Sequence, residues 1–321
     1  MHGRYGNSTV QPTIDQQRSS LSISFLIQIP DSRGVLGFTP AYSGGAQMAK
    51  PTLVLVPVGG VGHFEAMLEV GKRLLAQSGH ALAITVLIMP EPVAKKWTSE
   101  IAELVRKEEA SGLDIRFHRL PAADPPTDHT GIEEYISRYV QRYAPHVRAA
   151  VAGLACPVAA VVVDIFCTAL FDAAHELAVP AYVYMISSAA MCALMLRSPA
   201  LDEEAGDSVE FEEAAEGGVD VPGLPPVPAS CLPMGLENRK ISTYQWFLYN
   251  GRRYMEANGI IVNTVAELEP GVLEAIAAGR CTRWTRAPPV YTIKPLLPLI
   301  PASRAAYHFI KNRRSLCTRR S

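Results

Sequence analysis

The stretch LVLVPVGGVGHFEAMLEVGKRLL, residues 53–75, gives the clearest indication of the architecture. It begins as a continuous apolar run, passes through a turn with three glycines in four positions, and continues as an amphipathic helix. A short apolar run without polar alternation indicates a strand that is buried on both faces, which is typical of a parallel sheet covered by helices. The stretch therefore predicts a β-strand, a tight turn and an α-helix, in that order.

The same alternation continues along the chain from residue 51 onward. After the first predicted strand, 53–58, further strands are predicted at 82–88, 114–119, 159–163, 181–184, 259–262 and, with a weaker pattern, 290–293. Helices are predicted at 65–77, 92–110, 132–152, 168–177, 188–197, 244–257 and 266–278. This succession predicts an α/β fold with a Rossmann-like, doubly wound parallel sheet, whose ligands bind beyond the carboxyl ends of the strands.

Composition excludes several classes of protein. The chain has 321 residues, 48% of them apolar, and 30 basic residues against 31 acidic ones. A nucleic-acid-binding protein would need a basic excess, so no nucleic-acid partner is expected. No apolar run reaches the roughly twenty residues of a membrane-spanning helix, so no membrane partner is expected either. The six cysteines form no C-x-x-C pair, which argues against a metal site and predicts reduced thiols in the cytoplasm.

The two ends and one internal segment depart from this pattern. Residues 1–50 are polar or turn-rich and predict a disordered leader, with a plastid transit peptide as the alternative because the leader is serine-rich and contains few acids. Residues 51–293 are predicted to form one domain. An acidic and then proline-rich segment, 201–233, predicts an excursion over the surface. Residues 294–321 predict the start of a linker followed by a divergent, disordered tail.

An ionisable side chain, His63, follows the glycine turn at the end of the first strand. A neutral imidazole can accept a proton near neutral pH, and a carboxylate can orient it, as in hydrolase triads. Asp164 is the best candidate for that carboxylate because it ends an apolar strand and an unpaired buried charge is costly. Asp172 is the second candidate. The alternatives are a capping or surface role for His63 and a helix N-cap role for Asp164.

Familiar glycine and serine motifs are absent from the chain. The turn lacks the third glycine of a dinucleotide fingerprint, and no Gly-Lys-Ser/Thr follows as in a phosphate-binding Walker loop. The chain also has no G-x-S-x-G nucleophile elbow. These absences argue against a hydrolase or a reductase. If His63 is a base, the nucleophile should therefore be a hydroxyl of the substrate.

Several stretches resemble the amino-terminal half of plant UDP-sugar-dependent glycosyltransferases of secondary metabolism, in particular the flavonoid and anthocyanidin glucosyltransferases. They are KPTLVLVPVGGVGHFEAMLEVGKRLL, VVVDIFCTALFDAAHELAVPAYVY, VPGLPPVPASCLP, GIIVNTVAELEPGVLEAI and PPVYTIKPLLP. They occur in the family's order from about residue 48 to about residue 298. The resemblance implies the first of the two Rossmann-like domains of a GT-B fold, the domain that binds the acceptor.

The resemblance also implies roles for individual residues. His63 would be the catalytic base and Asp164 its partner, and the reaction would transfer a sugar to a phenolic hydroxyl with inversion. Gly62, Phe64, Phe166, Ser188 and Met191 would contact a small phenolic acceptor. No permanently bound cofactor and no metal are implied. A UDP-sugar would be the co-substrate.

One departure from the family concerns the donor. The family's second domain carries a signature box that begins W-x-P-Q and runs through H-C-G-W-N-S, and this sequence has no such box. We therefore expect a truncated chain that lacks the main UDP-sugar site and is inactive alone. The alternative is a non-catalytic module that binds a small phenolic or a full-length enzyme. A bare inter-domain surface would favour self-association.

Overall fold

The computed structural model describes residues 49–90, 95–206 and 218–293, together with two short strands. These two, β1 (Ile27–Gln28) and β2 (Gly37–Phe38), pair antiparallel in a sheet of their own. The main sheet has seven strands, which lie in the order β5-β4-β3-β6-β7-β8-β9, and all neighbouring pairs are parallel. Its strands are β3 (Thr52–Val56), β4 (Ala83–Ile88), β5 (Ile115–Arg119), β6 (Val158–Asp164), β7 (Ala181–Met185), β8 (Gly259–Val262) and β9 (Val290–Thr292).

Helices connect these strands, as parallel pairing requires. The α-helices in the described part of the chain are α1 (Val61–Gln77), α2 (Lys95–Glu109), α3 (Ile132–Ala152), α4 (Phe171–Glu176), α5 (Ala189–Ala205), α6 (Met234–Glu237), α7 (Ser242–Arg253) and α8 (Pro270–Ala277). Short 3₁₀ turns lie at Thr168–Leu170, Ala229–Cys231, Tyr254–Glu256 and Arg280–Thr282.

Each face of the sheet has its own hydrophobic core. Alternate residues of the central strands, such as Leu53 and Leu55, pack against α1 and α2 on one face. The residues between them, such as Val54 and Val56, pack against α3, α5, α7 and α8 on the other. Burial on both faces is the reason that the central strands are largely apolar, whereas the edge strand β5 also carries Arg116 and His118. The predicted doubly wound α/β architecture is thereby confirmed.

The order of the strands creates a crevice at the centre of the sheet. From β3 the chain moves outward in one direction to β4 and β5, and then returns to place β6 on the other side of β3. The connections that leave β3 and β6 therefore diverge to opposite sides. Ligands of doubly wound sheets bind at such a switch point, beyond the carboxyl ends of the strands.

All seven predicted strands of the main sheet are present, but some of the segments between them differ from the prediction. Helix α5 continues to Ala205 through Pro199, where a helix was expected to end. The carbonyl of Met195 loses its usual backbone donor there, and the Ser198 hydroxyl donates to it instead at 2.9 Å. The segment 218–233 is not simply a surface excursion either, because Val221 and Leu232 are buried in the core.

Some predictions fall outside the described residues. They concern nearly all of the predicted leader, 1–50, the predicted tail, 294–321, and residues 207–217 of the acidic run. Within the described ranges, none of the helices combines the length and the apolar character that crossing a bilayer requires. The five cysteines in those ranges are free thiols.

Candidate active site

The backbone of the glycine turn places His63 at the switch point. Gly60 is the N-cap of α1 with φ 128° and ψ 130°, a conformation that side-chain-bearing residues rarely adopt. The chain can therefore pass from β3 into α1 within four residues. Helix α1 begins at Val61, four residues earlier than the sequence predicted, so His63 is the third residue of the helix. Its side chain is about one-third exposed (30%).

Asp164 is the last residue of β6, the strand adjacent to β3. The pairing of Val56 with Val163 brings this carboxylate next to the end of β3. The Oδ2 atom of Asp164 lies 2.7 Å from Nδ1 of His63, and the aspartate side chain is completely buried. Its other oxygen, Oδ1, accepts a longer bond of 3.4 Å from the backbone N–H of Phe166. The histidine is thus the principal hydrogen-bond partner of a carboxylate that water does not reach.

This contact determines the tautomer of the imidazole. An ionised carboxylate can only accept, so Nδ1 of His63 carries the hydrogen and Nε2 presents a lone pair. Burial lowers the pKa of the His63 imidazole, whereas the charge of Asp164 and its hydrogen bond raise it, and the net effect is a pKa above the ordinary value of 6.5. The pair therefore forms an imidazole of increased basicity that is held in one orientation.

Two competing interpretations, which concern Asp172 and an N-cap role of Asp164, do not hold. Asp172 lies on the exposed side of α4 and pairs with Arg253 at 2.6 Å, so it is not the partner of His63. Asp164 makes no helix N-cap, because the 3₁₀ turn that follows begins after Cys167 and has no side-chain cap. Burial and the charge of Asp164 raise the pKa of the neighbouring Cys167 thiol well above its usual range.

Aromatic side chains border the histidine on one side. The ring of Phe166 is half-buried, and its centroid is 6.4 Å from that of His63. Phe247 of α7 packs edge-on against Phe166 at 6.0 Å and fixes the orientation of that ring. No sequence pattern pointed to Phe247, since its helix is remote in the chain from both motifs. Gly62 is exposed beside His63.

The prediction for Phe64 needs correction. Its ring is 2% exposed and lies in the core between α1 and the sheet, where it stacks on Phe117 with centroids 6.4 Å apart. Adjacent residues of a helix project about 100° apart, so the ring is directed to the core while its neighbour His63 reaches the crevice. Phe64 therefore supports the position of α1 and is not part of the acceptor surface.

Ser188 and Met191 lie at the start of α5, just beyond the carboxyl end of β7. Ser188 is the N-cap and accepts a hydrogen bond from the Met191 backbone N–H at 3.4 Å. A residue that the sequence patterns did not indicate completes this cap. Glu269, from the connection after β8, accepts the backbone N–H groups of Ala189 and Ala190, each at 2.9 Å.

The carboxylate of Glu269 also accepts the Thr264 hydroxyl at 2.5 Å. Glu269 therefore links the segment after β7 to the segment after β8. Its negative charge stabilises the N-terminus of α5. The sequence contained a partial signal, since Glu269 precedes a proline that marks a helix start. That signal indicates a role in α8, whereas the carboxylate acts on α5.

A buried polar network supports the segment after Asp164. The Thr168 hydroxyl donates to the side-chain oxygen of Asn250 at 2.6 Å, and the Asn250 amide donates to the Ser137 hydroxyl at 3.1 Å. All three side chains are buried, so each bond compensates for lost hydration. The network connects α3, α7 and the 3₁₀ turn at Thr168–Leu170. Within the described ranges, no group of three or more His, Cys, Asp or Glu residues could hold a metal ion.

Comparisons with known proteins identify clear relatives. The chain is 57% identical over 262 residues to a malvidin galactosylase of Oryza sativa subsp. indica, an alignment that covers 81% of this chain and 54% of the relative. It is 34% identical over 263 residues to a UDP-glycosyltransferase of Arabidopsis thaliana, which covers 78% of this chain and 51% of the relative. No family model matches the chain.

Solved structures of plant glycosyltransferases are also similar to this chain. A glycosyltransferase of Medicago truncatula, complexed with UDP-glucose, superposes with a TM-score of 0.68 at 27% identity, covering 82% of this chain and 56% of that one. A UDP-glucosyltransferase of Polygonum tinctorium that is capable of glucosylating indoxyl superposes with a TM-score of 0.66 at 28% identity, covering 83% and 57%. The chain thus spans about half the length of the relatives it matches.

Proposed function

We propose that this chain, a homologue of the plant UDP-glycosyltransferases, forms the acceptor-binding half of an inverting, UDP-sugar-dependent glycosyltransferase that acts on a small phenolic. The contact of 2.7 Å between His63 Nδ1 and Asp164 Oδ2 is the observation that carries the proposal. It holds an imidazole of raised pKa at the switch point of the sheet, with Nε2 available to accept a proton. The relatives' names, which include glycosyltransferases of anthocyanidins and flavonoids, support the acceptor class.

The chemistry follows from this geometry. Nε2 of His63 removes the proton from a phenolic hydroxyl as that oxygen attacks the anomeric carbon of the sugar. A new carbon–oxygen bond forms, and the bond between the anomeric carbon and the UDP oxygen breaks on the opposite face, which inverts the configuration. UDP leaves with the electron pair of that bond. The buried carboxylate of Asp164 stabilises the imidazolium that results.

Phe166 contributes an apolar surface next to the base. Its ring would pack against the flat face of a phenolic acceptor, and Phe247 behind it keeps the ring in place. Met191 and Ser188, both half-buried at the start of α5, are proposed to line the same acceptor surface. Gly62 would border the reacting hydroxyl.

The donor is proposed to be a UDP-sugar. Solved relatives were determined with UDP-glucose or with UDP. The signature box of the family's donor domain does not occur in residues 1–321, so we assign these residues to acceptor binding and not to donor binding.

One experiment tests the base and the acceptor together. A nitrophenol is titrated into the purified chain, and the absorbance of the bound phenol reports its ionisation. We expect binding with a shift toward the phenolate form, and we expect His63→Gln to bind without that shift. His118→Gln, at an exposed histidine of β5, is the matched control and should behave as the wild type. An unchanged spectrum in the wild type, or the same shift in His63→Gln, would overturn the assignment of the base.

A parallel titration with UDP-glucose tests whether the chain binds the acceptor but not the sugar donor. Phenol binding without UDP-glucose binding would support an acceptor-binding half. Binding of UDP-glucose by residues 1–321 would contradict that proposal. Self-association is also proposed, because the large apolar residues Ile132, Met234 and Leu268 are exposed at the start of α3, in α6 and before α8. Sedimentation of a monomer at high concentration would refute it.

A further inference from the structure

One face of the main sheet is only partly covered by helices. From β3 the sheet extends through β4 to β5, and from β6 it extends in the opposite direction through β7 and β8 to β9. Right-handed crossovers place the connecting helices of these two halves on opposite faces. On the face of α1 and α2, α1 lies against β3 and β4, and α2 lies against β5. Within the described ranges these two helices supply all the helical residues of that core, so the part formed by β7, β8 and β9 has no helix of its own.

The part without a helix is lined by tyrosines and isoleucines. The strand register places Tyr184, Ile261 and Tyr291 in one row across β7, β8 and β9. Tyr182 lies two residues before Tyr184 on the same face, and its half-buried ring is 6.5 Å from the half-buried ring of Tyr291. Ile293, just after β9, is buried in the same core. We call these five residues the tyrosine face.

The Tyr184 hydroxyl on this face lacks a hydrogen-bond partner. The side chain is 0% exposed, and its oxygen has no partner among the described residues. Burial and the charge of Asp164 raise the pKa of this hydroxyl, so it keeps its hydrogen near neutral pH and can donate it. A buried hydroxyl without an acceptor is costly, and native structures pair nearly all such groups. The tyrosine face therefore calls for an apolar segment that also brings an acceptor.

The sequence after Ile293 has these properties. Residues 295–301, which lie outside the described ranges, are PLLPLIP, with a proline at every third position. A polyproline II helix has three residues per turn and no internal hydrogen bonds, so the leucine and isoleucine side chains would share two of its sides and its carbonyls would be free. Aromatic surfaces bind this preformed conformation. Seven residues span about 22 Å in it, which exceeds the roughly 10 Å between β9 and β7.

We propose that residues 295–301 bind across the tyrosine face as a polyproline II segment, with one backbone carbonyl accepting the hydrogen of the Tyr184 hydroxyl. The leucine and isoleucine side chains of the segment pack against the rings of Tyr182 and Tyr291. The segment covers the strands that have no helix on this face. The inference does not depend on the proposed role of His63.

The test combines two changes in the full chain. Tyr184→Phe removes only the hydroxyl. In the tail variant, all three prolines of 295–301 are replaced with serine, which removes the fixed φ that favours polyproline II. Tyr254→Phe is the matched control, because Tyr254 is also fully buried but donates to the Ile165 carbonyl at 3.1 Å in the core of the opposite face. Thermal unfolding is measured for each tyrosine change with the wild-type tail and with the variant tail.

We expect Tyr184→Phe to lower the melting temperature by about 2–4 °C with the wild-type tail, as the loss of one hydrogen bond does in a domain of this size. With the variant tail it should cause no loss, whereas Tyr254→Phe should lower the melting temperature equally with both tails. No loss from Tyr184→Phe with either tail would mean that the hydroxyl has no acceptor. An equal loss with both tails would place the acceptor elsewhere, and a loss that depends on protein concentration would assign the face to a second copy of the chain. Each of these three results would overturn the inference.

Discussion

Replacing Asp164 with asparagine should destabilise the fold more at acid pH than at alkaline pH. The folded-state pKa of His63 lies above 6.5, because the charge of Asp164 and its hydrogen bond outweigh burial. A raised pKa contributes stability that is fully present below the unfolded-state pKa and is lost as the pH rises through the folded-state pKa. In Asp164→Asn the carboxylate charge is absent, and burial is the main remaining influence on the pKa of His63. Burial lowers the pKa of His63, so protonation then destabilises the variant.

The asparagine carbonyl can still accept the Nδ1–H, so a hydrogen bond remains at both pH values. The pH-dependent part of the effect comes from His63, because each unit by which its pKa differs between wild type and variant contributes about 1.4 kcal/mol. We therefore expect the stability difference between wild type and variant to be larger at about pH 5.5 than at about pH 9 by on the order of 1–2 kcal/mol.

Urea unfolding monitored by circular dichroism at the two pH values measures this difference directly. Asp202→Asn is the control, because Asp202 pairs with Arg239 at 2.8 Å, and a guanidinium does not titrate between these values. Its effect on the free energy of unfolding should be the same at both. If Asp164→Asn also shows no pH dependence, the charge of Asp164 does not govern His63, and the proposed base would lose its physical basis.

Three further substitutions probe the supports of the site. Glu269→Gln should cost about 1–3 kcal/mol in urea unfolding, because an amide NH₂ would face a backbone donor at the start of α5; unchanged amide exchange in that turn would contradict the cap. Asn250→Leu should cost at least about 2 kcal/mol, since it leaves two buried hydroxyls without their partner, and an equally stable variant would argue against the network. Gly71→Ala should cost about 1–3 kcal/mol, because the added Cβ would lie 2.5 Å from Cδ1 of the fully buried Leu55, and a thermal unfolding midpoint equal to that of the wild type would contradict this clash.

Much of the architecture could be predicted because buried parallel strands must be apolar on both faces. Most of the seven predicted strands carried that signal as apolar runs, and the clearest exception, Ile115–Arg119, is an edge strand that is exposed at Arg116, His118 and Arg119. Helix ends were less predictable. Helix α5 extends past Pro199 because a serine hydroxyl compensates the lost backbone bond, and a proline pattern alone does not reveal such a contact. The corrected role of Phe64 has a similar origin, since the start of α1 determines which residues face the core.

The amino-acid sequence alone determined that an imidazole follows the first strand of an α/β fold and that a buried aspartate ends a later one. Both conclusions are local, because strand burial and turn chemistry depend on neighbouring residues. Tertiary structure alone decided that these residues, 101 positions apart, meet at 2.7 Å, since their distance depends on β6 pairing with β3. It also decided that Glu269 and Phe247 support the crevice, because contacts between elements depend on strand order and helix packing.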